Sequence, residues 1–149
     1  MLKIKYLLSF VLIAAVVGVA SAQSLPVGKY RLTSYDFKQK IAFPVDSIEV
    51  TLNVHKDGKL GGKSGCNVYG GSYSFEETRL KIADIISTQM YCDESTNQFE
   101  QLFDGTLTEA TEFTLKDGVL TLTDPKTHTF LRFESAEKTK DKTHDEGDR

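Results

Sequence analysis

Two thiols, three imidazoles and one lysine set behind a glycine are the side chains of this 149-residue chain with the clearest chemical potential. Cys66 and Cys92 offer either a reactive thiol or one internal disulfide. Thiol catalysis needs a reduced thiolate oriented by a nearby base. His55, His128 and His144 are far apart in sequence, and the two cysteines lack zinc-ligand spacing, so no metal site is expected. Gly62-Lys63-Ser64 resembles the end of a phosphate loop. The glycine needed five positions earlier is replaced by Asp57, and strand pattern rather than a helix follows. The acid pairs Glu76-Glu77 and Asp93-Glu94 are adjacent, so one face cannot hold both members. They read as a turn and a helix start, the second suited to the helix dipole. No catalytic residue, cofactor or metal is expected, and the expectation is a non-enzyme.

The compartment bears on the two thiols. Lys3 and Lys5 precede an apolar run from Tyr6 to Val19, and Ala20-Ser21-Ala22 supplies the small residues of a cleavage site. Residues 1–22 therefore read as a signal peptide, with Gln23 as the mature N-terminus. The run is short for a membrane span, and no second apolar stretch follows, so no integral span is expected after cleavage. The expected location is exported, periplasmic or extracellular. In an oxidising compartment an even cysteine count favours the Cys66–Cys92 disulfide. On the loop-entropy model that crosslink is worth roughly 3.5 kcal/mol.

Removing Lys3 and Lys5 from the 18 basic residues leaves 16 against 21 acidic, a net charge of −5 on 127 residues. This length supports one domain. Mild acidity without a basic stripe argues against nucleic acid as a partner. Residues 135–149 mix charge with Thr and Gly and carry no apolar residue beyond Ala136, so they read as a disordered tail.

The remaining chain is written in strands. Ile48, Val50, Leu52 and Val54 alternate with polar residues, and Lys56-Asp57-Gly58 suits a three-residue hairpin loop. That loop sets Val54 opposite Leu60, Leu52 opposite Gly62 and Ile48 opposite Cys66, which turns Cys66 inward. Across Glu77-Thr78, a poor dipeptide for a primed turn, Tyr73 faces Ile82 and Phe75 faces Leu80. Across Asp117-Gly118, Phe113 faces Leu122 and Leu115 faces Leu120. A last strand, His128 to Glu134, sets Leu131 opposite Leu120. Met90 and Cys92 share one face of a further strand pattern.

Ser95-Thr96-Asn97-Gln98 matches a capping box, and Phe99, Leu102 and Phe103 recur at helical spacing, with Leu107 added if the helix passes Gly105. A helix of about ten residues is too short to stand alone and must pack on the sheet or plug a barrel. The fold class is mostly β (α+β): a small curled antiparallel sheet or cracked β-barrel with one short helix. The segment Asp36 to Asp46 fits neither period. It reads as a connection folded over the core or as a rim loop showing Phe37 and Phe43 to a partner, with Tyr69 as a further partner-surface residue.

The pairs Gly61-Gly62 and Gly70-Gly71 bracket Gly65-Cys66-Asn67, and glycine within a strand marks a bulge or bend. Asn67 is expected to brace its own backbone through its side chain. Two blocks stand out: Ser64-Gly65-Cys66-Asn67-Val68-Tyr69-Gly70-Gly71-Ser72-Tyr73, and Ile86-Ser87-Thr88-Gln89-Met90-Tyr91-Cys92. With Tyr30-Arg31-Leu32, Leu80 and Ile82, Phe99 and Leu107, and Leu120-Thr121-Leu122, they resemble the META domain or HslJ-like family over Val27 to Glu134. Gly65, Asn67, Gly70, Thr88 and Met90 are the motif positions. The family often carries Trp near the first strand; this chain has Tyr30 there and no Trp.

The resemblance implies a curled β-sheet with one helix, an envelope or secreted setting and, in bacterial members, a link to heat stress and antibiotic tolerance. It brings no catalytic residues. Residues 23–134 are thus expected to form an exported, non-enzymatic domain with a stress-linked or binding role, its partner an unknown protein. The alternative is a carrier of a small lipophilic ligand in an interior lined by Ile48, Val50, Leu52, Phe75, Leu80 and Phe113.

Overall fold

The computed structural model describes residues 24–38 and 48–137. Eight strands and one helix follow in the order β1 (Gly28–Asp36), β2 (Thr51–Val54), β3 (Lys59–Lys63), β4 (Val68–Glu76), β5 (Arg79–Ser87), α1 (Glu94–Glu109), β6 (Glu112–Lys116), β7 (Val119–Asp124) and β8 (Thr129–Ser135). All pairings are antiparallel, in the spatial order β5-β4-β3-β2-β1-β8-β7-β6. The sheet curls into a half-barrel. Its two edges approach at one point, where the Leu80 amide donates to the Thr111 carbonyl at 2.9 Å.

The hairpin registers follow from loop length. His55 N–H bonds to Lys59 O around Gly58, whose φ is +78°, and Val54 pairs with Leu60. Val50 pairs with Ser64 in the same register. Tyr73 pairs with Ile82 and Phe75 with Leu80, while Glu77 takes a φ of +58° in the turn. Phe113 and Leu115 pair with Leu122 and Leu120, with Asp117 and Gly118 both at positive φ. The last strand is displaced by two residues: Leu120 faces Phe133, and Leu131 faces Leu122. A larger turn causes the shift. Asp124 Oδ1 accepts from Lys126 N–H, its Oδ2 from Thr127 Oγ1, and its carbonyl from His128 N–H, so four residues separate Asp124 from its partner Thr129.

Helix α1 also departs from its expected start. Asp93, in extended backbone, is the N-cap; its carboxylate accepts from Thr96 N–H at 2.9 Å and from Thr96 Oγ1 at 2.7 Å. Ser95 is one of its hydrogen-bond donors rather than the cap. An aspartate both caps and favours the dipole, which outweighs the Ser-x-x-Gln pattern. The helix runs 16 residues, past Gly105, and buries Phe99, Phe103 and Leu107 completely.

Those three side chains occupy the concave face of the sheet, against Leu32, Leu52, Leu80, Leu120, Leu122, Leu131 and Phe133. The rings of Phe99 and Phe103 stack at 6.1 Å, and Tyr69 meets Phe103 edge-on at 5.4 Å. The barrel interior is thus filled by the protein itself. Of the expected cavity lining, Val50, Leu52 and Leu80 are buried in this core, with Ile48, Phe75 and Phe113 packed against it. Phe37 is buried as well, stacked on Tyr35 at 4.4 Å and tilted against Phe99 at 5.6 Å. Among the described residues no helix is long and apolar enough to cross a membrane. The expected signal peptide and Phe43 lie outside the described residues, as does the tail beyond residue 137.

Candidate functional site

Strands β3 and β4 are joined by four residues, Ser64, Gly65, Cys66 and Asn67. Gly65 has φ +125°, a conformation side chains disfavour, and an added Cβ would press on Thr96 and Ile48. Ser64 N–H bonds to the Asn67 carbonyl at 3.0 Å. The Asn67 amide points elsewhere, donating to Glu100 Oε1 of α1 at 2.6 Å. A tight turn is thereby opened and pinned to the helix.

Asn67 holds the arrangement together. Its Nδ2 donates to Glu100 Oε2 at 2.7 Å and to the Met90 carbonyl at 3.0 Å. Its Oδ1 accepts from Thr88 Oγ1 at 2.7 Å and from Met90 N–H at 2.8 Å. Both donors and both acceptors of the amide are therefore used. Ser64 Oγ adds a third donor to Glu100 at 3.1 Å. The carboxylate is buried and faces three neutral donors. The Cys66–Cys92 disulfide closes the same corner, with Cα atoms 6.1 Å apart. Turn, helix and the 88–93 segment are locked to one another.

Several expectations change here. Residues 88–93 form no strand, so Met90 and Cys92 are exposed rather than sharing a core face. Cys66 is half-buried beside the loop. Asn67 braces the distant backbone of Met90, not its own. Gly70 sits at the register shift between β4 and β5, where Asp84 takes a φ of +56° and accepts from Ser72 Oγ at 2.8 Å. An added Cβ at Gly62 would collide with the Thr51 carbonyl, so that glycine serves close strand approach. Tyr69, expected at a partner surface, is buried with its hydroxyl on the Thr51 carbonyl at 2.8 Å. Burial, aided by the Asp104 charge, raises its pKa far above the usual phenol value.

Beside this corner lies a cleft of about 250 Å³, lined by Ser64, Asn67, Ser87, Thr88, Gln89, Met90, Tyr91, Asn97, Glu100, Gln101 and Asp104. Glu100 and Asp104 stand one helical turn apart. Burial raises the Asp104 pKa, a hydrogen bond from Ser87 Oγ at 3.1 Å opposes this, and the Glu100 charge adds to it. Met90 and Tyr91 project at the rim, Tyr91 76% exposed. On the outer sheet face, Val68 and Ile86 flank a second groove of about 620 Å³ with Gly70 in its lining.

The cysteine–asparagine turn, joined through Asn67 to Thr88 and Met90, brings the two motif blocks together, and the META domain family model matches residues 23–137. The chain belongs to the META domain family. This META domain is similar in fold to a protein from Burkholderia xenovorans solved by NMR, with 20% identity over 78% of this chain and 94% of that one, at TM-score 0.59. A second NMR structure matches at 18% identity over 74% and 91% of the two chains, TM-score 0.55. Among curated proteins no significant relative matches. Glu100, central to the META-domain corner, is absent from the motif residues read in sequence. Its signal is a carboxylate inside the buried stripe Phe99, Phe103, Leu107, three residues before Phe103 and seven before Leu107.

Proposed function

We propose that this META domain is an exported module that binds rather than catalyses, working in the envelope or extracellular space. The observation that carries the reading is the Asn67 corner. The polar side chains of the motif bond to one another and to buried Glu100, and both sulfurs are bonded. Such a corner builds a rigid wall and leaves no activated nucleophile there. The disulfide suits an oxidising compartment. Val68, Ile86, Met90 and Tyr91 are exposed at the end of the β4–β5 pair opposite its turn, a surface fit for a partner. A lipid-carrier role fits less well, because α1 fills the concave face.

N-terminal sequencing of protein isolated from its source tests the location: a start at Gln23 is expected, and unprocessed protein with free thiols would sink the export reading. The binding assignment fails if the pure domain turns over a defined substrate and one point substitution abolishes turnover. Family resemblance extends the proposal to stress. Loss of the gene should lower survival after heat shock, and unchanged survival would remove that element.

A further inference from the structure

We propose that the groove on the outer sheet face is the contact surface of a two-fold homodimer, in which Ile86 of each copy seats over Gly70 of the other. The assignment names a partner for the binding surface inferred above and rests on that reading. The first ground is Gly70 itself. Glycine inside a strand weakens it, so each instance needs a reason in the backbone or its surroundings. Gly61, Gly62 and Gly71 have one: an added Cβ would collide with the carbonyls of Tyr69, Thr51 and Ala83 respectively. Gly70 has none within the chain. Its φ is not positive, and an added Cβ would meet nothing among the described residues nearer than the Leu60 carbonyl at 3.9 Å. The adjoining register shift is taken up by Gly71 and by Asp84 at φ +56°. The remaining reason for glycine in a strand is the close approach of something outside it.

The second ground is the knob beside this hole. Ile86 is the cross-strand partner of Gly70 and is 76% exposed. Val68, two residues before Gly70 on the same strand face, is 52% exposed. A two-fold interface uses one patch twice, so the patch must hold both halves of its own complement. This one does. Neighbouring strands lie about 4.8 Å apart, so knob and hole are one strand from each other. A two-fold axis running along the strands between β4 and β5 carries Ile86 of the second copy onto Gly70 of the first, and symmetry supplies the reverse contact.

Charge fits the same operator. Lys59 and Asp84 both line the groove, and neither belongs to a salt bridge among the described residues. Lys59 pairs across β3–β4 with Ser72, whose hydroxyl donates to Asp84, so both charges stand at one level of the sheet. The axis that seats Ile86 brings Asp84 of the second copy one strand nearer to Lys59 of the first. A patch of a single sign would repel its own image. The groove's lining is mainly apolar, and its volume of about 620 Å³ is ample for one branched aliphatic side chain.

Sedimentation equilibrium of the processed protein, residues 23–149, from about 1 μM to 1 mM tests the pairing, with amide NMR over the same range. A monomer–dimer equilibrium is expected, its concentration-dependent shifts confined to residues 59–61, 68–71 and 84–88. Ile86→Ala should weaken the dimer about a hundredfold, a factor of ten for each of two symmetric contacts. Gly70→Val should weaken it at least as much by filling the hole, with monomer stability unchanged or higher because valine suits a strand. Mixing the two variants is decisive. The Gly70→Val copy still offers Ile86, and the Ile86→Ala copy still offers Gly70. The mixture should therefore form a heterodimer about tenfold or more tighter than either variant forms with itself. Asp84→Asn, a residue type that tolerates the left-handed φ, should weaken pairing about threefold and flatten its salt dependence.

A monomer across the whole range would overturn the proposal and leave the groove to a different protein. Shifts elsewhere on the surface, variants that pair as wild type does, or a mixture no tighter than its components would overturn it too. The two readings fail separately. Turnover of a substrate by the pure domain defeats the binding reading without touching the dimer, whereas a monomer that turns over nothing defeats the dimer alone.

Discussion

Asn67 concentrates more structural consequence than any other side chain of the corner. Truncating it to alanine removes one of the three donors of buried Glu100, Nδ2, and strips Thr88 Oγ1 and Met90 N–H of their acceptor. Asn67→Ala should cost about 1.5–3 kcal/mol, the range for losing a hydrogen bond to a charged group, measured by urea unfolding. A loss under about 1 kcal/mol would mean that water replaces the amide. Asp93 predicts a pH effect. Hydrogen bonds from Ser95 Oγ and from the amide and hydroxyl of Thr96 pull its pKa down to about 2. The folded value lies below the unfolded one, so the cap's contribution is complete above about pH 4 and is lost as pH falls toward 2. The stability difference between wild type and Asp93→Ala, clear at pH 6, should therefore shrink toward zero near pH 2. A constant gap across that range would refute the role of the carboxylate. At this scale the sequence was legible in part: Asn67, Thr88 and Met90 stood out as positions of the family motif, but Met90 joins the corner through its backbone, and nothing local connects Asn67 with Glu100, 33 residues away.

Among the elements, α1 and the hairpins show what local rules decide and where they stop. Strand alternation and loop length set the β2–β3, β4–β5 and β6–β7 registers correctly, because a one-residue slip would expose each apolar face. The β7–β8 register came out two residues off, since a slip of two keeps the same face inward and only the Asp124 turn distinguishes the options. The helix start moved for a related reason: Ser95 and Asp93 both suit capping, and the carboxylate adds charge to geometry. Gly105 lies on the exposed side of α1, and an added Cβ would meet nothing within 4 Å. Gly105→Ala should therefore stabilise the protein by about 0.5–1 kcal/mol, seen as a higher Tm in thermal unfolding. A lower Tm would show that the helix needs its glycine.

At the scale of the whole molecule, one crosslink and one helix hold a sheet that does not fully close. The disulfide spans a sequence separation of 26 and joins the β3–β4 turn to the lead-in of α1. A double Cys66→Ala, Cys92→Ala variant should lose roughly 3.5 kcal/mol on the loop-entropy model, read from denaturant midpoints. Equal midpoints would mean that the Asn67 hydrogen bonds alone hold the corner. The fold class was legible because strand periodicity and hairpin dipeptides are local signals. The burial of Phe37 and Tyr69 was not, since it depends on where α1 places Phe99 and Phe103.

The sheet order carries one more consequence, for how the chain assembles. β1 and β8 are neighbours in mid-sheet, Tyr30 pairing with Ser135, so the first and last strands complete each other. The β2–β5 meander and the β6–β8 meander can each form early, but they join only when the C-terminal strand arrives. Such long-range closure slows folding. It also makes this domain a natural subject for circular permutation. A variant cut between Glu77 and Thr78, with a short flexible linker from residue 137 to residue 24, would turn that distant seam into a local hairpin. It should refold faster than the parent in stopped-flow measurements; an unchanged rate would place the slow step elsewhere.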